Sequence, residues 1–446
     1  MIIYIPLEIP ARELSGHVLL AVVAASRGHQ VFVTSGNALW MAKRLNLLKK
    51  GCYLLKNMNV PSPSERVYKG FLKDGFDLYC HEQEPSILWD DFEKYLDASN
   101  ITKNQTLPFK GVFCWGERDT LEFKKLFKSK EEIFTNTGSP RAEVWQDPSL
   151  ILKNKIFKKN HRPYILVITN FGEFMGNLHW TNVSLVKRSL EQFESQEQEK
   201  VFIQEVQEQV SIACDLILAV KHIANSWPEY DLVIRPHPTE SPEYYDNIFS
   251  HYKNIRVIGN SDSITPWISD ASAVIQNGCT TAIESVIQKT PLISYGPDRV
   301  FSNQHVPNML GIRVKSIEKI NDSLMCIFND KCYESFQVKS ESIIQPIISI
   351  KKDNSALKIV KIMESNSSDL KFFKIKYQNL LAFQLAKLIK KNVDIVRNAF
   401  LSEKLVTSEA NIDILIVKRE MELMAKTLEL PLPKITRVSK SCMLIG

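Results

Sequence analysis

The stretch MIIYIPLEIPARELSGHVLLAVVAASRGHQVFVT, from Met1 to Thr34, determines the fold predicted for the start of this chain. It begins with an apolar, β-branched segment, breaks at PARELSG, and continues as a helix-forming run that leads into a second apolar segment. Gly28 follows the small residues AAS, where a glycine that ends a helix belongs. A strand, a helix and a strand in this order predict one βαβ unit of a parallel sheet.

The same alternation continues through the first part of the chain. Apolar segments at Phe76–Cys80 and Gly111–Trp115 are each followed by a helix-like stretch, and the pattern closes at IFTNTGSPRAEVW. The chain then becomes basic and loses its periodicity in DPSLILKNKIFKKNHRP, over residues 147–163. We therefore predict a first Rossmann-like domain over residues 1–150 and a linker over residues 151–163.

A second and clearer series of strands and helices starts at YILVITN. A long charged helix-like stretch over residues 191–225 is followed by the apolar segments DLVIRP, NIRVIG, AVIQNG and PLISYG, with helix-like segments between them. This pattern predicts a second Rossmann-like domain over residues 164–350. The predicted fold class is therefore α/β, with two doubly wound domains facing a cleft and a mostly helical C-terminal extension over residues 351–446.

The composition excludes several classes of protein. Of the 446 residues 44% are hydrophobic, which is enough for a large core. The net charge of +6 is mild and scattered, so no nucleic acid is expected as a partner, whereas an anionic small ligand is compatible with it. The N-terminus lacks the features of a secretion signal, and no apolar run approaches the roughly 18–20 residues that span a bilayer. We therefore expect a cytoplasmic protein.

The eight cysteines are dispersed without a CxxC pair or the spacing of metal ligands. Such a distribution is typical of buried, reduced thiols, so we expect neither a disulfide nor a zinc site. The sequence also lacks the P-loop, HExxH, GxSxG and GxGxxG motifs and a paired-aspartate metal motif. This argues against a dehydrogenase of the Rossmann type, and we expect no cofactor and no metal.

The stretch LKFFKIKYQNLLAFQLAKLIKKNVDIVRNAF, over residues 370–400, has a helical period with one apolar and one lysine-rich face. It fits a helix packed against the two domains. It also fits an amphipathic element on the anionic inner face of the cytoplasmic membrane, which its lysines and phenylalanines favour. Both interpretations stay open.

The first candidate site lies at the end of the segment DLVIRP, where Arg235 and His237 alternate with prolines. Ligands of open α/β sheets bind at the carboxyl ends of the strands. The prolines restrict the loop, so the imidazole is held in one direction. Together with Thr239, these side chains form a donor cluster suited to a phosphate. The structural alternative is a histidine that satisfies backbone groups in a tight loop.

The second candidate site, IQNGCTTAIES, combines a strand, a glycine turn and the start of a helix over residues 275–285. Backbone N–H groups at a helix start bind anions, and threonine hydroxyls add donors. Thr281 and Glu284 also fit a capping box, which would use the same atoms, and Glu284 alternatively suits ribose hydroxyls. The candidate nucleotide contacts of this segment are Gly278, Cys279, Thr280, Thr281 and Glu284.

The third candidate site, FDLYCHEQEPSILW, places His81, Glu82 and Glu84 just after an apolar strand. Two carboxylates near a histidine suggest a general base, because partial burial or a like charge raises a carboxylate pKa toward working pH. The alternative is a solvated acidic loop. Segments after two other strands are expected to line the same cleft. The candidate residues for binding the acceptor or donor in this cleft are Arg12, Glu13, Gly16, His81 and Asn170.

Six stretches of this chain, taken in order, resemble the bacterial surface carbohydrate biosynthesis protein family, which belongs to O-antigen and capsule loci. They are IPARELSGHVLLAVVAASRGHQV, HEQEP, TGSPRAEVW, ITNFG, RPHP and QNGCTTAIES. The resemblance covers residues 1–296, and it implies the GT-B architecture of nucleotide-sugar glycosyltransferases. The remaining C-terminal residues are not covered by it.

The acidic loop and the His-Pro pair also resemble bacterial sialyltransferases and Kdo transferases, which use CMP-activated sugars. This resemblance implies that Glu82 or Glu84 is the general base and that His237 contacts the donor's phosphate. It places Thr280 and Thr281 near the phosphate or the ribose. The family loop is of the Asp-Glu-Glu-Gly type, whereas this chain has HEQEP, so the choice of carboxylate and the possibility of an inactive copy stay open.

The implied function is a metal-independent glycosyltransferase that moves a sugar from a nucleotide-activated donor to a growing surface polysaccharide. A CMP-linked nonulosonic acid or Kdo is the favoured donor, and the acceptor is a saccharide or a lipid-linked saccharide. The C-terminal helices would contact the inner membrane peripherally. The alternatives are a sugar-nucleotide 2-epimerase or a polyol-phosphate transferase of the same fold, and a non-catalytic scaffold in polysaccharide assembly.

Overall fold

The computed structural model divides the chain into two compact units, each built on one β-sheet. The first unit consists of Met1–Ile87, Asp91–Leu152 and Gln345–Gly446, and the second of Leu88–Asp90 and Lys153–Ile344. The structure describes residues 1–58, 62–83, 86–103, 105–152, 162–171, 193, 195–259, 262–296, 305–330, 332–349, 354–367, 412–439 and 442–446.

The strands and helices are numbered along the chain. The strands are β1 (Ile2–Pro6), β2 (Gln30–Thr34), β3 (Cys52–Leu55), β4 (Asp77–Cys80), β5 (Gly111–Cys114), β6 (Phe134–Asn136), β7 (Tyr164–Ile168), β8 (Asp231–Arg235), β9 (Ile255–Val257), β10 (Ala273–Gln276), β11 (Leu292–Tyr295), β12 (Ile312–Val314), β13 (Ile435–Ser439) and β14 (Cys442–Ile445). The helices are α1 (Pro10–Ser26), α2 (Gly36–Arg44), α3 (Ser62–Lys73), α4 (Phe92–Ala98), α5 (Glu117–Leu126), α6 (Pro140–Gln146), α7 (Gln196–Ser226), α8 (Pro242–Phe249), α9 (Thr265–Asp270), α10 (Thr281–Ile287), α11 (Val306–Met309), α12 (Ile317–Met325), α13 (Tyr333–Ile344), α14 (Ser355–Asn366) and α15 (Ile414–Thr427). Of the helices described, none is both long and apolar enough to cross a membrane.

The predicted βαβ unit at the start of the chain is confirmed. Strands β1 and β2 pair in parallel, with Ile2 opposite Gln30, and α1 connects them. Gly28 follows the last turn of α1 with φ of +83°, a left-handed conformation that glycine adopts without the steric cost of a Cβ atom. The predicted position of this glycine at the helix end therefore also holds.

The first unit has an eight-stranded sheet in the order β13-β14-β2-β1-β3-β4-β5-β6. The pairings from β2 through β6 are parallel, whereas β14 runs antiparallel to β2 and to β13. The direction of strand addition reverses between β1 and β3. In doubly wound sheets of this type, loops at the carboxyl ends of the strands near such a reversal form the binding crevice.

The C-terminal residues differ from the predicted mostly helical extension. Their described part contains α14 and α15 but also the hairpin of β13 and β14, and it belongs to the first unit. The reason is burial, since apolar side chains of α14 and α15 lie in the same core as those of α1. The lysine-rich stretch over residues 370–400 lies outside the described residues.

The second unit has a six-stranded sheet in the order β12-β11-β10-β7-β8-β9, and its five pairings are all parallel. Counted from β7 as strand one, this is the order 3-2-1-4-5-6 read from the β9 edge, which is typical of Rossmann folds. The reversal lies between β7 and β10. The strand YILVI is buried along its whole length, as expected for a strand covered on both faces. The predicted α/β fold with two doubly wound sheets is confirmed.

One expectation about cysteines is wrong, because Cys326 and Cys332 form a disulfide. They are six residues apart, a separation that resembles no short cysteine motif. A short π-helix over Cys326–Asp330 follows α12, and the Cα atoms of the two cysteines lie 5.7 Å apart, within the range of disulfides. Cys52, Cys80 and Cys114 are buried thiols.

Candidate functional site

Three loops meet at the carboxyl edge of the second sheet because β10, β7 and β8 are neighbours. The Asn170 side chain, just after β7, donates from Nδ2 to the carbonyl of Gly278, just after β10, at 3.3 Å. On the other side, the N–H of Thr169 donates to the carbonyl of Arg235 at 3.2 Å. Asn170 and the turn at Gly278 thus meet at the reversal point of the sheet, where ligands of this fold class bind, and the loop after β8 lies on the other side of β7.

His237 lies in the loop after β8 with its ring half-buried. Its Nδ1 lies 2.8 Å from the hydroxyl of Thr239 and accepts the backbone N–H of Thr239 at 3.3 Å. Because an amide N–H only donates, this network assigns the proton of the neutral ring to Nε2. The imidazole is therefore oriented by its own loop, with Nε2–H as a donor, and Thr239 contacts the ring.

Arg235 has partners that the sequence did not reveal. Its Nη1 donates to the Asp262 carboxylate at 2.7 Å and to the carbonyl of Gly259. Its Nη2 donates to the carbonyl of Asp262. The residue is only 4% exposed. Burial lowers the pKa of Arg235, and the neighbouring Asp262 opposes this shift. Arg235 therefore holds the loop after β9 in place, and its predicted role as a phosphate contact stays a prediction.

The turn after β10 is closed by the fully buried Gln276. Its Oε1 accepts the N–H groups of Gly278 and Cys279 at 2.6 and 2.8 Å, and its Nε2 donates to Ser294 at 2.7 Å. These two N–H groups, predicted to face a ligand, are thus occupied by the chain itself. Gly278 has φ of +87°, and a Cβ atom there would also come within 3.2 Å of Asn308. The turn therefore depends on glycine at this position.

The predicted capping box at the start of α10 is not formed. The N-cap residue is Thr280, whose side chain makes no capping hydrogen bond. Glu284 is buried and accepts from Gln288 at 3.1 Å. The Thr281 hydroxyl and the Asn277 carbonyl oxygen are buried and have no hydrogen-bond partner among the described residues. Asn277, which the sequence analysis missed, is a polar residue directly after a buried strand, and that was the available signal.

Glu240, a second missed residue, lies three positions after His237 and is 3% exposed. Its Oε2 accepts the hydroxyls of Thr169 and Tyr245, each at 2.6 Å, and its Oε1 accepts the N–H of Phe171. Burial raises the pKa of the Glu240 carboxyl, and these hydrogen bonds oppose the rise. The sequence showed only an acid after a proline-rich loop.

In the first unit, Glu82 follows β4 and has both carboxylate oxygens engaged. Oε1 accepts the N–H of Met58 at 3.1 Å, and Oε2 accepts the hydroxyl of Tyr95. Burial raises the pKa of Glu82 to about 7, and the hydrogen bonds from Tyr95 and Met58 oppose the rise. The contacts favour a structural role for Glu82. Glu84, the other predicted base, lies outside the described residues.

His81 and His17 are buried imidazoles near the same edge. His81 stacks on Trp115 at 5.9 Å between ring centroids, and its Nδ1 lies 3.1 Å from the Gln83 amide. Burial lowers the pKa of His81 to about 4, and burial, with the charge of Arg141 acting in the same direction, lowers the pKa of His17 to about 3. Both rings are therefore neutral. No group of three or more side chains that could hold a metal ion is formed by these or any other described residues.

Glu13 closes the start of α1. Its Oε2 accepts the N–H groups of Glu8 and Ile9 at 2.8 and 3.3 Å, and Arg12 lies 3.8 Å from Oε1. Burial raises the pKa of Glu13, and the neighbouring Arg12 opposes the rise. This predicted cleft residue therefore has a helix-capping role in the first unit.

Gly16 allows α1 and α6 to approach closely. A Cβ atom at this position would come within 2.9 Å of the backbone nitrogen of Arg141. Arg141 donates to the carbonyl of Gln83 at 3.2 Å, and its guanidinium lies 4.8 Å from the centre of the Trp145 ring. Arg141 thus connects α6 to the loop after β4, and the sequence indicated it only within TGSPRAEVW.

Comparisons with known proteins support the fold. No family model and no curated protein sequence matches the chain. A co-structure of S. aureus MnaA with UDP is similar with a TM-score of 0.50 at 10% identity, over 84% of this chain and 99% of that chain. A UDP-N-acetylglucosamine 2-epimerase has a TM-score of 0.48 at 8% identity, over 84% and 98% of the two chains. The wall teichoic acid polymerase TagF has a TM-score of 0.47 at 12% identity, over 83% and 90%.

At such low identity the similarity to MnaA shows the fold alone. Together with the two Rossmann-like sheets, it defines this chain as an α/β protein of the GT-B fold class. Activity has to be inferred from the residues at the site, because one fold hosts many reactions.

Proposed function

We propose that this protein is a glycosyltransferase whose nucleotide-activated donor binds at the reversal point of the second sheet. The observation that carries the proposal is the convergence of Asn170, His237 and the turn at Gly278 on the carboxyl edge of β7, β8 and β10. In Rossmann-type sheets this edge is the usual position of a nucleotide. The family resemblance of the RPHP and QNGCTTAIES segments agrees with it.

The proposed donor is a CMP-linked nonulosonic acid or Kdo. The His-Pro pair and the acidic loop suggest it by resemblance. A second argument comes from the turn after β10. The N–H groups of Gly278 and Cys279, which could bind a further phosphate, already donate to the side chain of Gln276. A donor with a single phosphate, placed against His237, suits this arrangement. The buried Asn277 and Thr281 oxygens are then suited to hydroxyl groups of the nucleotide.

The proposed reaction transfers the sugar to a hydroxyl of a saccharide or lipid-linked saccharide. A carboxylate takes the proton from this hydroxyl, which attacks the anomeric carbon, and the bond between that carbon and the phosphate oxygen breaks to release CMP. The Nε2–H of His237 stabilises the charge that develops on the phosphate. Glu82 is engaged by Met58 and Tyr95, so we assign the base to Glu84.

The proposed setting is the cytoplasm, at the inner face of the membrane where surface polysaccharides are assembled. The proposal uses no metal, because the Nε2–H donor of His237 stabilises part of the charge on the phosphate. The lysine-rich residues 370–400 are the proposed membrane contact.

Thermal shift with CMP, CDP, UDP and GDP tests nucleotide binding. A ligand that binds the folded protein raises its melting temperature by mass action, and we expect CMP to give the largest rise. If none of the four nucleotides raises the melting temperature, the proposed function fails.

The His237→Ala variant tests the role of the imidazole. We expect the release of CMP from a CMP-linked donor to fall by about 100-fold or more, since the charge on the leaving phosphate loses its donor. The matched control is His251→Ala, because His251 is exposed in the same unit. Activity close to wild type in His237→Ala would remove His237 from the mechanism.

A sugar-nucleotide 2-epimerase, the alternative of the same fold, is the second candidate, and the UDP in the MnaA structure of similar fold is compatible with a UDP-sugar substrate. Such an enzyme changes its substrate without an acceptor. Incubation with a UDP-sugar alone, followed by product analysis, separates the two activities, and an epimerised sugar nucleotide would favour this candidate.

A further inference from the structure

We propose that Glu240 is a positioning residue of the nucleotide site, which holds the loops after β7 and β8 in register so that His237 faces the reversal point. The inference rests on the proposed function, because it gives Glu240 a role in that same site. Glu240 itself is buried and acts through its neighbours.

The carboxylate of Glu240 joins two loops and a helix. It accepts hydrogen bonds from the hydroxyl of Thr169 and the backbone N–H of Phe171, both just after β7. It also accepts the hydroxyl of Tyr245 on α8. An ionised carboxylate has only acceptor sites, so it suits three donors that converge on it. A glutamine of the same size would turn an NH₂ group toward at least one of them.

The backbone of Glu240 also closes the turn that carries the imidazole. Its N–H donates to the carbonyl of His237 at 2.8 Å. Within this turn, Thr239 binds Nδ1 of the ring. The orientation of the His237 ring therefore depends on a turn that ends at Glu240, and the Glu240 side chain binds this turn to the loop after β7.

The same carboxylate holds the backbone on both sides of Asn170. It binds Thr169, directly before Asn170, and Phe171, directly after it, and the Asn170 side chain donates to the carbonyl of Gly278. The loops after β7, β8 and β10 are thus connected through one buried carboxyl group. A buried polar group is costly unless it is hydrogen-bonded, so loss of these hydrogen bonds should shift all three loops.

The test compares the wild type with Glu240→Gln and with Glu243→Gln as the matched control, since Glu243 is exposed on α8. The first readout is the ¹⁵N spectrum of protein labelled at its nine histidines, with the His237 signals assigned by His237→Ala. We expect the Nε2–H tautomer in the wild type and in the control, and a mixture of tautomers in Glu240→Gln. This readout needs no ligand.

The second readout is the kinetics of CMP release from a CMP-linked donor. We expect kcat to fall about 10-fold or more in Glu240→Gln with little change in KM, because a small displacement of a group that stabilises the leaving phosphate acts mainly on the transition state. Thr169→Val removes one donor to the same carboxylate. The double variant should then lose no more than Glu240→Gln alone.

The inference is overturned if Glu240→Gln lowers the melting temperature but leaves the His237 tautomer and kcat as in the wild type, since Glu240 would then be structural only. If Glu240→Gln does not fold, Thr169→Val decides by the same two readouts. If the wild type binds no nucleotide, the proposed function fails, and the tautomer measurement still decides whether Glu240 positions His237.

Discussion

At the scale of single residues, hydrogen-bond partners decide how the polar side chains of the site are oriented. Thr239 binds Nδ1 of His237, which assigns the ring proton to Nε2, whereas Arg235 binds Asp262. The type and position of both residues were evident from the strand and its prolines. Their partners were not, because Asp262 comes from a loop 27 residues further along the chain.

Thr239→Val tests whether the hydroxyl orients the imidazole. The substitution keeps the volume but removes the hydrogen bond to Nδ1, so the ring is held only by the weaker contact with the N–H. We expect kcat for CMP release to fall by about 10-fold, because the donor to the phosphate is less well oriented. Thr239→Ser keeps the hydroxyl and should retain most of the activity. Equal kcat in the valine and serine variants would show that the hydroxyl has no such role.

Glu84→Gln and Glu82→Gln distinguish the two predicted bases. Loss of the base should lower kcat by about 100-fold or more in Glu84→Gln, as is typical of general-base catalysis. Glu82→Gln should retain turnover within a few-fold, since its carboxylate binds Tyr95 and Met58. Rates of CMP release at equal donor concentration provide the comparison. A folded Glu82→Gln variant without turnover, beside an active Glu84→Gln variant, would reverse the assignment.

At the scale of elements, the local pattern of apolar residues predicted most strands of the two sheets. The segment from β1 to β2 and the strands β7, β8, β10 and β11 were evident because each is an apolar run bounded by a turn or a helix. The hairpin of β13 and β14 was missed, because β14 pairs with β2, about 400 residues earlier, and such a distant pairing leaves no local signal. The disulfide between Cys326 and Cys332 was missed since their spacing matches no short cysteine motif, and only the folded backbone brings their Cα atoms to 5.7 Å.

The buried carboxyl group of Glu420 on α15 should make stability depend on pH. Burial raises the pKa of Glu420 from its usual 4.5 to about 7, and the hydrogen bond that Ser15 on α1 donates to it at 2.6 Å opposes the rise. The folded state therefore holds the proton more tightly than the unfolded state. The resulting stabilisation is complete below about pH 4.5 and is lost as the pH rises through about 7.

Urea unfolding at about pH 5 and about pH 8 measures this dependence. Between these values Glu420 should lower the free energy of unfolding by as much as about 3 kcal/mol, and Glu420→Gln should remove that part of the change. Glu422→Gln is the matched control, because Glu422 is exposed on the same helix. An unchanged pH dependence in Glu420→Gln would contradict the assignment of the buried proton to this residue.

At the scale of the whole molecule, the chain forms the first sheet, then the second unit, and returns to complete the first unit with its C-terminal residues. The sequence predicted two doubly wound domains and their order, since alternating strands and helices repeat twice. It did not predict the return, because the apolar faces of α14 and α15 fit any helix that packs on a core. Which core they cover is decided by contacts between distant segments.

The candidate site was predictable in its position but not in its details. Polar residues that follow apolar strands mark the carboxyl edge of a parallel sheet, and this rule found His237, Asn170 and the turn at Gly278. It could not find Glu240 or Gln276, whose side chains point into the second unit and bind backbone and hydroxyl groups there. Such buried polar contacts depend on three-dimensional packing and not on a sequence pattern.

A crystal structure of the protein with CMP most directly measures where the nucleotide binds. We expect a phosphate oxygen within about 3 Å of Nε2 of His237, a common hydrogen-bond distance, and the ribose beside Asn277 and Thr281. A nucleotide bound away from the ends of β7, β8 and β10, or a His237 ring that turns Nε2 away from the phosphate, would contradict the proposed site.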